Sequence, residues 1–154
     1  MSKLLVFLDV DGVVLPIGRF PEDLTADLGR RLAALPGELV WATAWEHEAN
    51  TEIAPRIGLP QLPVVEWGGE SVVEVLEDDF LGLHWKTRLL VRWADGRDFV
   101  WFDDEPTDID VTWVADNHRG RALVYRVPQP TVGLTDGDFE ALERWLTAGA
   151  PTGY

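Results

Sequence analysis

Short apolar runs alternate along the chain with segments in which leucine recurs every three or four positions. Residues 4–8, LLVFL, form a continuous apolar run, which is typical of a strand buried on both faces. Residues 22–35 follow with leucines at helical spacing, and Pro36 and Gly37 end that pattern. This alternation predicts an α/β chain in which a parallel sheet carries helices on both faces.

Eight further segments continue the alternation. Pro55 is expected to divide the second helix, and residues 70–79 are compatible with a return strand or with an irregular acidic segment. The pattern predicts a three-layer Rossmann-like fold with about five strands, in one domain over residues 1–154. The further strands are predicted at residues 38–43, 62–67, 98–105 and 122–127, and the further helices at residues 46–57, 84–94, 107–118 and 134–146.

The chain is strongly acidic, with 27 Asp and Glu against 13 Lys and Arg and a net charge of −14. This excess disfavours binding to nucleic acid or to anionic membranes, since both need a basic face. The chain has no cysteine, which excludes disulfides and thiolate metal sites. It shows neither a signal-peptide pattern nor a membrane span, so a cytoplasmic location without membrane contact is expected.

Reactive side chains follow three of the predicted strands. Asp9 and Asp11 follow the first strand, Thr43 follows the second, and Asp103 and Asp104 follow the fourth. The carboxyl ends of parallel strands meet at one edge of a sheet, where ligands bind in open α/β folds. Four carboxylates at that edge would favour Mg2+, which takes oxygen ligands and often shares them with a substrate phosphate.

Two other residues add to this pattern. Lys86 lies in the first turn of the helix before the fourth strand and brings an ammonium to the same edge. Gly12 lets the chain turn sharply beside Asp9 and Asp11, which lean to the same side in extended backbone. An EF-hand calcium loop does not fit, because it needs glycine at its sixth position and glutamate at its twelfth.

These residues resemble the motifs of the haloacid dehalogenase-like hydrolase superfamily, in the same order along the chain. The first motif is FLDVDGVV at residues 7–14, the second is VWAT at 40–43, the third is Lys86, and the fourth is VWFDDE at 100–105. The resemblance implies a Mg2+-dependent phosphohydrolase that acts on a phosphate monoester. An Asp at position 11 resembles the phosphatases and phosphomutases, whereas the ion pumps carry Thr there and the dehalogenases lack this acid.

The resemblance also implies a role for each residue. Asp9 would be the nucleophile that forms an aspartyl-phosphate, and Asp11 would be the general acid and then the general base. Thr43 would hydrogen-bond the phosphoryl group, and Lys86 would offset the charge between that group and Asp9. The implied metal ligands are Asp9, Asp11 (through its carbonyl oxygen), Asp103 and Asp104.

The gaps between the motifs are too short for a full cap domain, so the resemblance implies an open site. Residues 14–21 and 67–84 are its only expected cover. The predicted substrate contacts are Gly12, Ala44 and Trp45, although Trp45 could instead serve helix packing. Asp78 and Asp79 are interpreted as part of a solvated acidic loop.

The substrate class and the oligomeric state stay open at this point. The expected partner is a phosphorylated small molecule or an exposed phosphate of a macromolecule. A weaker resemblance, to a small group of the same superfamily associated with RNA repair proteins, implies a polynucleotide-end phosphatase, which the net charge disfavours. A phosphotransferase, or a non-catalytic module that binds metal and phosphate, would fit the same residues.

Overall fold

The computed structural model describes residues 3–149, in which a four-stranded parallel sheet is flanked by six α-helices. This confirms the predicted α/β class. Short 3₁₀ segments lie before the first helix and after the second. The strands are β1 (Leu5–Leu8), β2 (Glu38–Trp41), β3 (Phe99–Asp103) and β4 (Ala122–Arg126); the helices are α1 (Ala26–Ala33), α2 (Glu48–Glu52), α3 (Val72–Leu81), α4 (Thr87–Ala94), α5 (Asp108–Asn117) and α6 (Asp136–Ala148).

The strands lie in the order β2-β1-β3-β4, and all of the pairings are parallel. Leu8 at the end of β1 is in register with Trp41 of β2 on one side and with Phe102 of β3 on the other. The chain therefore moves to one side of β1 for its second strand and to the other side for its third. This reversal opens a crevice at the carboxyl end of β1, where open α/β sheets bind their ligands.

Alternate residues of the strands supply two separate apolar cores, one on each face of the sheet. Val6 and Leu8 of β1 join Phe102 in one core, while Leu5 and Phe7 join the other. Strands that are buried on both faces in this way appear in the sequence as unbroken apolar runs. The prediction of a strand buried on both faces from residues 4–8 is confirmed on this basis, and the strand predicted within residues 98–105 is also found, as β3.

The predicted strand at residues 62–67 does not join the sheet, which has four strands and not five. It forms a single bridge, between Trp41 and Val64. The Trp41 amide donates to the Pro63 carbonyl at 2.9 Å, and the Val65 amide donates to the Trp41 carbonyl at 2.9 Å. Pro63 has no amide hydrogen, so the pairing ends after one residue.

The helices predicted from the spacing of apolar residues are confirmed. Pro55 divides the second helical segment as predicted, since α2 ends at Glu52 and a 3₁₀ segment covers Ala54–Ile57. The last helix begins after Thr135, whose amide donates to Asp138 Oδ2 at 2.7 Å. Within residues 3–149, no helix is long and apolar enough to cross a membrane.

Residues 72–81 form a helix, α3, and not a return strand or an irregular segment. The Ser71 hydroxyl accepts a hydrogen bond from the Glu74 amide at 3.1 Å, and the Glu74 carboxylate accepts one from the Ser71 amide at 3.0 Å. This capping box starts a helix even though the valines that follow favour strands.

The acidic face of α3 points inward and its apolar face points to solvent. Arg88 of α4 binds both carboxylate oxygens of Asp78 at 3.1 Å, and Arg92 binds Glu74 at 2.7 Å. The interpretation of Asp78 and Asp79 as a solvated loop is wrong, because both lie in α3 and Asp78 is buried; only Asp79 is exposed. Ion pairs, more than apolar burial, therefore attach this helix. The exposed apolar side chains along α3 include Val72, Val73, Leu76 and Phe80.

Candidate active site

The carboxyl ends of β1, β2 and β3 bring three of the predicted site residues to one edge of the sheet. Backbone hydrogen bonds continue past the end of β1 on both sides. The Asp9 amide donates to the Phe102 carbonyl at 3.1 Å, and the Ala42 amide donates to the Leu8 carbonyl at 2.7 Å. The residues at the strand ends therefore stay aligned across the crevice. The buried polar side chains at this edge are Asp9, Thr43 and Asp103.

The ammonium of Lys86 lies between two of these carboxylates. Lys86 Nζ is 3.2 Å from Asp9 Oδ1 and 2.8 Å from Asp103 Oδ2, and it donates to the Ala42 carbonyl at 3.0 Å. The Lys86 side chain is only 2% exposed, so this charge is held away from bulk water. Lys86 was predicted in the first turn of this helix; in the structure it is the residue immediately before α4, which begins at Thr87, and its ammonium contacts Asp9 and Asp103.

Asp110 fixes the turn that carries Lys86. Its Oδ1 accepts from the His84 amide at 2.8 Å and from the Thr87 hydroxyl at 2.7 Å, and its Oδ2 accepts from the Thr107 amide at 2.8 Å. Asp110 thus ties the start of α4 to the start of α5. Asp110 was not among the predicted site residues, although a Thr with an Asp three positions later is a capping-box signal.

A crowded group of carboxylates lies beside the ammonium. Carboxylate oxygens of Asp9, Asp103 and Asp104 all come within 4.8 Å of one another. Burial raises the pKa of Asp9 to about 7, although the neighbouring Lys86 lowers it, and burial followed by the charge of Asp103 raises the pKa of Asp104. One ammonium does not balance these charges, and a donor set made only of oxygen suits a hard divalent cation. The residues present therefore fit Mg2+.

Asp11 lies at the exposed rim of the site, where Trp45 holds it. Trp45 Nε1 donates to Asp11 Oδ2 at 2.9 Å, and the Trp45 amide donates to the Thr43 hydroxyl at 3.2 Å. The Thr43 oxygen is the acceptor, so its own hydrogen is left to donate elsewhere. Ala44, which was also predicted to contact substrate, lies between Thr43 and Trp45 in the chain and is exposed.

Gly12 is buried against the carboxylate of Asp104. Its φ of +80° is a conformation that L side chains rarely adopt, and a Cβ here would lie 2.7 Å from Asp104 Oδ2. A side chain at position 12 would therefore push Asp104 away from the acidic group. The structure gives Gly12 a backbone role in closing the site on this side.

Two tryptophans that the sequence pattern did not indicate as site residues lie beside Lys86. The ring centroid of Trp85 is 5.3 Å from Lys86 Nζ, and that of Trp67 is 5.9 Å from it. Trp67 Nε1 donates to the Thr43 carbonyl at 2.8 Å. Trp85 directly precedes Lys86 in the chain, and this position could have indicated that its ring lies near the site. Trp67 is far from Lys86 in sequence and is brought to the site only by the fold.

Comparisons of the chain with protein-family models, with curated proteins and with solved structures find no match. What the site does is therefore inferred from its own residues. It combines a buried ammonium, three clustered carboxylates and a fourth carboxylate at the rim. This arrangement offers an oxygen nucleophile, a proton donor and positive charge for an anionic group.

Proposed function

We propose that this protein is a Mg2+-dependent phosphohydrolase of the haloacid dehalogenase-like type. The observation that carries the proposal is the 3.2 Å contact between Lys86 Nζ and Asp9 Oδ1, at the carboxyl end of the central strand. An anionic nucleophile approaches an anionic phosphate only where positive charge offsets their repulsion. The buried ammonium supplies part of that charge.

Asp9 is the nucleophile in the first step. Its Oδ1 accepts from the Val10 amide at 2.8 Å and contacts Lys86, so we assign the attack to Oδ2. The bond from Oδ2 to phosphorus forms as the bond from phosphorus to the ester oxygen breaks. Asp11 gives its proton to the departing oxygen, and the Thr43 hydroxyl donates to the transferred group.

Hydrolysis of the aspartyl-phosphate completes the cycle. Asp11, now a carboxylate, takes a proton from a water molecule as the water oxygen attacks phosphorus. The acyl-phosphate bond breaks, which releases inorganic phosphate and restores the Asp9 carboxylate. The hydrogen bond from Trp45 Nε1 keeps Asp11 directed for both proton transfers.

Asp9, Asp103 and Asp104 would hold Mg2+, which when bound would offset charge on the phosphate and on Asp9. Calorimetric titration of Mg2+ tests this assignment without turnover. We expect binding to wild type, clear weakening in Asp103→Asn, and no change in Asp79→Asn, which removes an exposed carboxylate outside the cluster.

Hydrolysis of p-nitrophenyl phosphate and of acetyl phosphate, with and without Mg2+, tests the function. We expect turnover that needs Mg2+ and that Asp9→Asn abolishes, while Asp79→Asn keeps full activity. Asp9→Asn replaces a buried carboxylate by a neutral group of the same shape and is expected to fold. A folded protein that binds Mg2+ but hydrolyses neither compound would favour the non-catalytic module, and activity that survives in Asp9→Asn would refute the mechanism.

A further inference from the structure

The rings of Trp67 and Trp85 form a corner beside the Lys86 ammonium. Their centroids are 4.9 Å apart and their planes meet at 80°, an edge-to-face arrangement. The centroid of Trp85 is 5.3 Å from Lys86 Nζ, which itself contacts the proposed nucleophile, Asp9. Asp9 and the aromatic corner therefore lie next to the same ammonium.

Contacts with neighbouring residues hold both rings. Trp67 donates through Nε1 to the Thr43 carbonyl at 2.8 Å and through its amide to Glu46 Oε2 at 3.3 Å. His84 stacks on Trp85 with centroids 5.4 Å apart, and its Nε2 lies 3.1 Å from Glu105. The corner is therefore rigid, which lowers the entropic cost of binding a ligand against it.

Screening Lys86 from water does not account for all of this arrangement. The Lys86 side chain is only 2% exposed, so it is well screened from water, yet Trp85 is still 46% exposed to solvent. Exposed aromatic surface at a charged site favours stacking on planar groups, because the ring offers large contact area with little conformational freedom to lose.

We propose that the Trp67–Trp85 corner is a stacking platform for the organic part of the substrate, a phosphate monoester that carries a planar aromatic group such as a nucleobase. The inference rests on the proposed function, since it takes the phosphate to lie at Asp9. Glu46 and Glu105 flank the corner through their contacts with Trp67 and His84. Their negative charge favours a single nucleotide over a nucleic acid strand, whose further phosphates they would repel.

Calorimetry in the Asp11→Asn background with Mg2+ tests the platform with turnover suppressed, because the proposed acid-base carboxylate is removed and the proposed Mg2+ ligands Asp9, Asp103 and Asp104 are kept. Adenosine 5′-monophosphate and ribose 5-phosphate share the phosphate and the sugar and differ only in the base. We expect the nucleotide to bind about tenfold more tightly, the amount that one base stacked on one aromatic ring contributes. A 5′-phosphorylated oligonucleotide is expected to bind more weakly than the mononucleotide.

Two further substitutions in the same background test whether the preference for the nucleotide comes from Trp85. Trp85→Leu is expected to remove the preference for the nucleotide, so that the two ligands bind with similar affinity. Phe80→Leu is the matched control, since it removes a 91% exposed aromatic ring of α3 that makes no contact with Lys86, and it is expected to keep the preference.

Three results would overturn the platform: equal affinity for the two ligands, a preference that survives in Trp85→Leu, or no binding of the nucleotide. Tighter binding of the oligonucleotide would overturn the assignment to a small ligand. Failure of the proposed phosphohydrolase function would appear in a different experiment, as absent hydrolysis of acetyl phosphate, which has no aromatic group. The phosphohydrolase function and the stacking platform can therefore fail separately.

Discussion

Trp45 Nε1 donates a hydrogen bond of 2.9 Å to Asp11 Oδ2, so the indole ring fixes the carboxylate at the rim of the site. Asp11 is exposed, and without this donor its side chain would be free to change rotamer. The sequence predicted that Trp45 contacts substrate or serves helix packing. The structure confirms packing, since Trp45 is half-buried against the core that contains Leu8, and it adds a contact with the proposed acid-base residue.

Trp45→Phe keeps an aromatic ring and removes the N–H donor. We expect kcat for acetyl phosphate to fall by about tenfold to a hundredfold, because Asp11 loses its orientation, while the affinity for Mg2+ and the Tm stay close to wild type. Trp93→Phe is the control, since Trp93 lies on α4 and packs against Phe7. Equal losses of activity in the two variants would show that Trp45 acts only through packing.

Lys86→Met removes the ammonium from between Asp9 and Asp103. We expect the free energy of unfolding at pH 8 to fall by about 3 to 5 kcal/mol, because two buried carboxylates lose their common partner. Urea unfolding measures the loss. The double variant Lys86→Met/Asp103→Asn is expected to recover part of it, since one of the unpaired charges is gone. Additive effects of the two changes would mean that the ammonium and Asp103 do not stabilise each other.

Gly12→Ala and Gly18→Ala separate backbone strain from crowding at the site. Both glycines have positive φ, +80° and +92°, but a Cβ at Gly12 meets Asp104 whereas one at Gly18 meets open space. We expect both variants to lose about 1 kcal/mol of stability. Only Gly12→Ala should also lose Mg2+ binding and phosphatase activity. Normal Mg2+ binding in Gly12→Ala would show that Asp104 is not needed in its present position.

His118 makes stability depend on pH through its burial. Its Nε2 contacts the Arg97 carbonyl at 2.9 Å, and Nδ1 is buried without a partner among the described residues. Burial lowers the pKa of His118 below its ordinary value of 6.5. The unfolded chain therefore binds a proton before the folded chain does, so stability is fully present above pH 6.5 and is lost as the pH falls towards the folded pKa.

Urea unfolding at pH 7.5 and at pH 5 checks this dependence. Wild type is expected to lose more stability over that interval than His118→Gln, which keeps an amide donor for the Arg97 carbonyl and cannot take up the proton. Identical losses in the two proteins would assign the pH dependence to other groups.

The elements with strong local signals were predictable from the sequence. The unbroken apolar run of residues 4–8 identified β1, and the acids that follow β1 and β3 indicated where the crevice lies. Parallel strands place their carboxyl ends together, so Asp9 and Asp103 could be assigned to one site before the fold was known. The positions of Asp9, Asp103 and Lys86 follow from this rule and from the order of the motifs.

The rest depended on contacts between distant segments. Residues 62–67 have the composition of a strand, yet Pro63 limits them to a single bridge. The valines of α3 favour a strand, but the Ser71–Glu74 capping box stabilises the start of a helix, and these residues are helical. Trp67 lies 24 positions from Thr43 in sequence, so no local pattern could have placed its ring at the site.

The inverted faces of α3 also determine which part of the molecule opens first. Local unfolding of an ordinary surface helix exposes an apolar stripe, but opening α3 would mainly break the ion pairs of Arg88 and Arg92. Salt screens such pairs, so amide hydrogens of α3 should exchange with solvent before those of β1 and β3, and faster as ionic strength rises. Asp110 of α5, and not α3, holds the turn that carries Lys86, so the buried ammonium is expected to stay in place when α3 opens.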